Sequence, residues 1–295
     1  MSLIAILISL ILERSFQSFQ DYRQFTWFET LTDRIKQWCD ERSWQGPTVV
    51  LLILAAPLLV VILINSLLDG VMLGLLSLLF STAILFLCLG PQDLDKQVQD
   101  FLTAWDDEDE ESARAAAKEL LGETPPESLS ELQQRLIERI LITANERILS
   151  PIIWFTVFAM LGSGPLGAVL YRLSCHLQQR VAGQSDAFAV AVNRLYAILG
   201  WLPAHLVSLL FAMAGSFVDA IQLWRERSAT WRDDWQQAAS QAVITAGFGA
   251  LQISAEDVTG DEVPQHVRAA LGLILRSIVI LIVLIAVITL TVFRG

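Results

Sequence analysis

Charge is what this 295-residue chain has least of: 17% of it is charged, against 54% hydrophobic residues and a mean hydropathy of +0.52. A soluble domain carries about a quarter charged residues, so the deficit excludes an ordinary water-borne surface and points to a membrane. Basic residues are scarcer than acidic ones, 20 against 31, giving a net charge of −11. With no basic stripe to displace phosphate counterions, a nucleic-acid partner is excluded. The three cysteines (Cys39, Cys88, Cys175) and three histidines (His176, His205, His266) are scattered. A disulfide framework or a zinc site would need them at close, regular spacing. The acidic run 106–111 has no glycine-turned loop of spaced oxygen ligands, as calcium requires. Gly247-Phe248-Gly249 lacks the lysine and strand context of a phosphate loop.

Apolar runs are what the chain has in abundance. Thr48–Leu68, Val71–Leu89, Pro151–Ser174, Leu195–Val218 and Leu271–Phe293 each approach the roughly 20 residues that cross a bilayer. Leu3–Leu12 is shorter, with no basic residue before it and no small-residue cleavage site before Glu13-Arg14. It reads as a first helix continued by Phe16 and Phe19 rather than as a secretory signal. If the five long runs all span, the five Lys and Arg of 13–47, the six of 91–150 and the four of 219–270 share one face. That face is expected to be cytoplasmic. The fold class is therefore an all-α integral membrane protein, a multi-span helical bundle with cytoplasmic amphipathic helices. Its expected parts are a short first helix and interfacial arm (1–47), a membrane hairpin (48–90), an acidic helical region (91–150), two membrane segments (151–218), a cytoplasmic helix and loop (219–270) and a last span (271–295).

Periodicity supports the polar parts as helical. Phe28, Leu31, Ile35 and Trp38 make one apolar face, suited to the membrane surface or the side of the bundle, and Gly46-Pro47 ends it. The turn at Asp69-Gly70 forces a tight hairpin. Carboxylates ahead of "SARAAAKELLG" favour a helix start, with Gly122 as the stop. Ser128 and Glu131 form a capping box, after which Leu129, Leu132, Leu136 and Ile140 repeat at helical spacing toward Pro151. Arg135 can pair with Glu131 and Glu138 there. Trp224, Trp231 and Trp235 share one helix side as interface anchors, and "AGFGALQISAEDVTGDEVP" reads as a flexible acidic loop. Ala212, Ala214 and Gly215 suit close helix contacts, including those of a homodimer.

The stretch Gly162-Ser163-Gly164-Pro165-Leu166-Gly167 breaks the apolar run. Helix breakers at membrane depth are tolerated only where neighbours or a cavity satisfy the freed backbone. The two halves, Pro151–Leu161 and Pro165–Ser174, would each be about 15–17 Å long as helix, half the bilayer core. They can stack as one kinked span, or fold back as two halves around Gly162, Gly164, Pro165 and Gly167.

"SPIIWFTVFAMLGSGPLGAVLYRL", followed by "LYAILGWLPAHLVSLLFAMAG", resembles the AmpE family of inner-membrane proteins and, more distantly, the CobD/CbiB amide-forming membrane enzymes of cobamide biosynthesis. "ERSF" at 13–16 and the helix before Pro151 extend the likeness over most of the chain. The resemblance to AmpE implies a regulator in the bacterial inner membrane, linked to β-lactamase induction and to a cytosolic amidase that degrades muropeptides. The CobD/CbiB likeness implies, as the alternative, ATP- and magnesium-dependent amide formation. Against it, Cys175 and Gln178 stand where those enzymes are similar but carry Asn and Asp. Tyr196-Ala197 stand where they have paired aspartates, His205 replaces an arginine, and Gln237 an acid. Ile142-Thr143 and Arg147 replace their Glu-Asn and glycine.

Holding magnesium and placing nucleotide phosphates needs such groups. The expectation is thus a non-catalytic regulator with no metal and no cofactor. It would sense a muropeptide-like small molecule or a protein at its cytoplasmic face. Glu13, Arg14, Glu138, Glu146, Arg172 and His205 are the residues expected to line a retained cavity, since ionisable groups at membrane depth are rarely idle.

Overall fold

Residues 47–68 contain no charged side chain and average well above the hydropathy of a soluble helix. In lipid such a segment must satisfy its backbone internally, and a helix does so. A computed structural model of the chain describes residues 2–15, 26–42, 44, 46–68, 74–89, 93–227, 235–253, 260 and 262–292. The described residues are 88% helical with no strand, and four helices are long and apolar enough to cross a membrane. These are Pro47–Leu68, Leu129–Met160, Ala187–Ala214 and Glu262–Thr291. The protein is an all-α membrane protein. The Asp69-Gly70 turn, Phe16 and Phe19, Trp231, and most of the loop after Ile253 lie outside the described residues.

The helices are α1 (Ser2–Ser15), α2 (Thr26–Asp40), α3 (Pro47–Leu68), α4 (Leu75–Cys88), α5 (Asp93–Asp106), α6 (Glu110–Leu121), α7 (Leu129–Ala144), α8 (Ser150–Met160), α9 (Gly164–Arg180), α10 (Ala187–Ala214), α11 (Phe217–Arg227), α12 (Trp235–Leu251) and α13 (Glu262–Val292). They divide between two units, residues 1–91 with 147–203, and 92–146 with 204–295.

In the first unit, α2 and α3 bring Phe28, Val50 and Ile53 onto Leu173, Leu177 and Phe188 of α9 and α10. The stripe on α2 is split. Phe28 is buried with Leu31 and Ile35 packed beside it, whereas Trp38 is exposed, edge-on to Trp44 with the Arg42 guanidinium 3.8 Å over its ring. Arg180 of α9 ties α2 down by donating to the Glu29 carbonyl at 3.1 Å and pairing with Asp33. Ser9 of α1 donates to the Thr82 carbonyl of α4 at 3.1 Å. Leu51, Leu59, Leu63 and Leu67 remain exposed on α3, an apolar face suited to acyl chains and costly in water.

In the second unit, Leu132, Leu136, Ile137, Ile140 and Leu141 are the buried face of α7. Leu136 and Ile140 are fully buried, as their spacing predicts. Val98, Phe101, Ala113, Ala117, Val267 and Leu273 are buried on α5, α6 and α13. Polar clasps add register: His266 Nδ1 lies 2.7 Å from Gln133 Oε1, and Arg268 pairs with Asp106. Leu275, Val279, Val283 and Val287 form an exposed stripe, one turn apart, along α13.

Several local expectations need correction. Ser128 is the N-cap of α7 but its side chain makes no cap hydrogen bond; Glu131 turns instead to Arg135 at 2.8 Å. Arg135 pairs with Glu131 and Glu123, while Glu138 accepts from Gln134 Nε2 at 2.8 Å. "AGFGAL" is helical, not loop: it ends α12, where a Cβ on Gly249 would come 2.6 Å from the Ala220 Cα. Glycine is used there for close approach of helices, not for flexibility. The last helix starts at Glu262 rather than Leu271. Pro151 does not open a segment, because the helix runs through it from Leu129 to Met160. The ring clashes with the carbonyl four residues back and offers no N–H; the turn just ahead, Asn145–Leu149, widens to a π-helix. Ala212 and Ala214 are buried within the chain, and the exposed Gly215 stands close against Ala250.

Candidate functional site

The break at Gly162 is a reversal of direction. A straight helix would hold residues 154 and 167 about 20 Å apart, yet a Cβ on Gly167 would collide with the Trp154 carbonyl and the Phe158 side chain. α9 therefore folds back along α8. Gly162 takes φ +92°, a conformation that favours glycine. The Leu161 and Ser163 amides both donate to the Phe158 carbonyl at 3.0 and 2.9 Å, which satisfies the end of α8. Pro165 sits at the start of α9, where its missing N–H costs nothing. A Cβ on Gly164 would stand 2.9 Å from the Phe155 ring.

Against this hairpin lies an apolar cluster of Tyr171, Cys175 and Leu199, with Trp154, Leu195 and Tyr196 packed on it. Trp154 Nε1 crosses to α10 and donates to the Leu199 carbonyl at 3.0 Å. Tyr171 is 1% exposed, and its neighbour Arg172 only 7%. Burying a guanidinium is expensive unless its donors are met. The Nε of Arg172 has no acceptor among the described residues. His176, one turn further along α9 and so on the same face, is within electrostatic range of both Arg172 and Arg147. The Cys88 thiol of α4 also feels Arg172. Arg172 thus places a buried guanidinium beside the hairpin, with one N–H unmet among the described residues, and a group of that kind pairs with an oxyanion or carboxylate.

The residues expected to line one cavity are divided. Glu13 (8% exposed) and Arg172 belong to the first unit, and the Arg14 side chain lies outside the described residues. Glu138, Glu146 and His205 belong to the second unit. Glu138 and Glu146 are half-buried on α7 and the π turn, and His205 lines a small cavity with Trp224. By sequence spacing His176 and Cys88 stood as scattered residues, and Arg147 only as the replacement for a glycine. The four-residue spacing of Arg172 and His176 was a usable signal; the approach of Arg147 depends on the reversal. Among the described residues, no group of three His, Cys, Asp or Glu side chains is placed to hold a metal.

A helical membrane protein whose broken apolar helix encloses a buried, partly unsatisfied arginine is the class that these features define. The chain belongs to the AmpE family, whose model, "Regulatory signalling modulator protein AmpE", matches residues 1–293. It is also similar to proteins called cobalamin biosynthesis protein CobD. The one from Stutzerimonas stutzeri (strain A1501) is 26% identical over 253 residues, 83% of this chain and 79% of that protein. The one from Chromobacterium violaceum is 27% identical over 187 residues, 62% of this chain and 57% of that protein. No solved structure matches the chain.

Proposed function

We propose that this chain is a non-catalytic regulator of the bacterial inner membrane. On this reading it binds a muropeptide-like ligand from the cytoplasmic side and takes part in β-lactamase induction. One observation carries the proposal. Cys175 and Tyr196, which the resemblance to the CobD/CbiB enzymes sets where those carry Asn and Asp, belong with Tyr171, Leu199 and Trp154 to a single apolar cluster. A cluster of that kind holds the hairpin together by burial and offers magnesium no carboxylate. Beside it, Arg172 supplies an unmet donor suited to a carboxylate, which every muropeptide bears.

The test has a cellular and a biochemical arm. Deleting the gene is expected to change β-lactamase induction by a sub-inhibitory β-lactam; wild-type plasmid restores it, and an Arg172→Met plasmid does not. An induction curve unchanged by the deletion overturns the regulatory reading. In detergent, calorimetric titration with Mg-ATP is expected to show no saturable heat at millimolar nucleotide. Saturable binding lost in Glu146→Gln would replace this reading with the enzyme.

A further inference from the structure

The apolar stripe of α7 is covered unevenly. Leu132, Leu136 and Ile140 are buried, whereas Leu129, at the head of the same stripe, is 39% exposed. It opens onto a groove of about 270 Å³ between the end of α5, the start of α6 and the approach to α7, all within residues 92–146 of the second unit. Local sequence makes that shape. α5 ends in a tight turn, where the Asp107, Glu108 and Asp109 amides donate to the Thr103, Trp105 and Ala104 carbonyls at 3.0, 3.1 and 3.0 Å. Gly122 stops α6 at φ +76°, and Pro125-Pro126 keeps the chain out of helix until α7 begins. Trp105, Ala113, Pro125, Pro126 and Leu132 give the groove apolar walls.

The rim of the groove carries mainly one sign of charge. Glu108, Asp109, Glu110 and Glu127 border it against a single cation, Arg114, and that cation is taken by Glu110 at 3.1 Å. Asp109 caps α6 by accepting from the Ser112 amide, which leaves its charge in place. Glu108 and Glu127 form no ion pair among the described residues. Cations of the adjoining turns are occupied as well: Arg135 pairs with Glu123 and Glu131, and Arg268 with Asp106. Lys118 lies one turn beyond Arg114 on α6 and does not border the groove. Such a rim repels nucleic acid and anionic headgroups and selects a cation. Ligand pockets for whole metabolites run to roughly 300–1,000 Å³, so this one suits a single long side chain. A basic side chain meets both of its surfaces, burying its stem on apolar walls while its head stays polar. A guanidinium also stacks on an indole face and pairs with carboxylates through its planar fork. We infer that this groove docks an arginine side chain from a basic segment of a partner protein. Its stem lies on Pro125, Pro126 and Leu129, and its guanidinium on Trp105 and the carboxylates of Glu108 and Glu127. The site is independent of the regulatory reading and of Arg172.

The experiment uses the full chain in neutral detergent and the fluorescence polarisation of a short labelled peptide in which arginine alternates with serine, a composition that stays off the micelle. The arginine peptide is expected to bind saturably. Its counterpart with citrulline, the uncharged isostere of arginine, should bind about tenfold more weakly, the size of one charge-assisted contact. Glu108→Gln combined with Glu127→Gln removes the two unopposed charges at exposed positions. It should weaken the arginine peptide about tenfold and leave the melting temperature unchanged. Leu129→Trp, at a position already part exposed, should fill the groove and weaken binding without disturbing the core. Equal binding of the citrulline or the lysine peptide overturns the inference, as does undiminished binding in the double glutamine variant or in Leu129→Trp. Arginine amide bound as tightly as the peptide would make this a site for a small cation. Loss of peptide binding in step with self-association, read by light scattering, would make the occupant a second copy; either result overturns the inference too.

Discussion

At Gly162–Pro165 the chain reverses between two helices that then press their backbones together; at Gly215-Ser216 it turns between two helices that a third one holds. Both turns place a glycine where a Cβ would strike backbone, Gly167 on Trp154 and Gly215 on Ala250. The surroundings differ. The hairpin is flanked by aromatic rings and a guanidinium 7% exposed. The elbow is flanked by alanines, an exposed apolar edge and a cavity. Close packing leaves the hairpin nowhere to yield, so it can hold a buried charge in place.

The comparison breaks most sharply on a methyl group. Gly167→Ala sets a Cβ against the Trp154 carbonyl and the Phe158 side chain, neither free to move, and should cost roughly 2–3 kcal/mol. Gly162→Ala, with nothing near its Cβ but φ at +92°, should cost about 1–2 kcal/mol from backbone strain alone. Gly215→Ala should cost less than Gly167→Ala, because Gly215 lies exposed at the end of α10 and its Cβ would meet Ala250 alone. Thermal melts of the three variants in one detergent give the order. A loss at Gly215 equal to that at Gly167 would end the distinction between a rigid hairpin and a yielding elbow.

A smaller effect tests how the hairpin is joined to α10. Trp154→Phe keeps most of the ring in the Tyr171–Cys175–Leu199 cluster but strips the donor from the Leu199 carbonyl. An unmet acceptor costs about 1–2 kcal/mol. Faster amide exchange around Leu199, with α12 unaffected, is the expected signature.

The helices of this chain were legible in its sequence to the extent that hydropathy carries them. α3 was placed within a residue because twenty-two residues without a charge admit one reading. The run 195–218 was placed too late, since α10 is Ala187–Ala214 and the apolar run continues through the Gly215 elbow into Phe217 and Val218. Hydropathy averages over a turn that changes direction but not polarity. For the same reason it could not choose between a kink and a hairpin at Gly162, although Gly-Pro marked the place. Arg172 was legible as a charge inside an apolar run. Its reach to Cys88, and the joint influence of Arg172 and Arg147 on His176, were not, because those approaches exist only once α9 has folded back on α8 and packed on α4.

The smallest expected effect lies in the elbow and is governed by acid. Ser216 and Gln252 both donate to Asp219, and these bonds hold its carboxyl below the ordinary value of 3.8. A carboxyl whose folded pKa is depressed stabilises the fold fully above its unfolded value, near pH 4, and loses that contribution as pH falls through the folded value. Acidification from pH 6 to pH 3 should therefore loosen the link between Ser216 and Gln252 before it touches the hairpin, where none of these bonds exists. Hydrogen exchange at the Ser216–Ala220 amides should quicken over that interval in the wild type. Asp219→Asn cannot titrate, so its exchange should change little between the two pH values once the intrinsic rate is divided out. If wild type and Asp219→Asn respond alike, another group controls the elbow. If the hairpin amides respond first, the elbow is not the more yielding of the two turns.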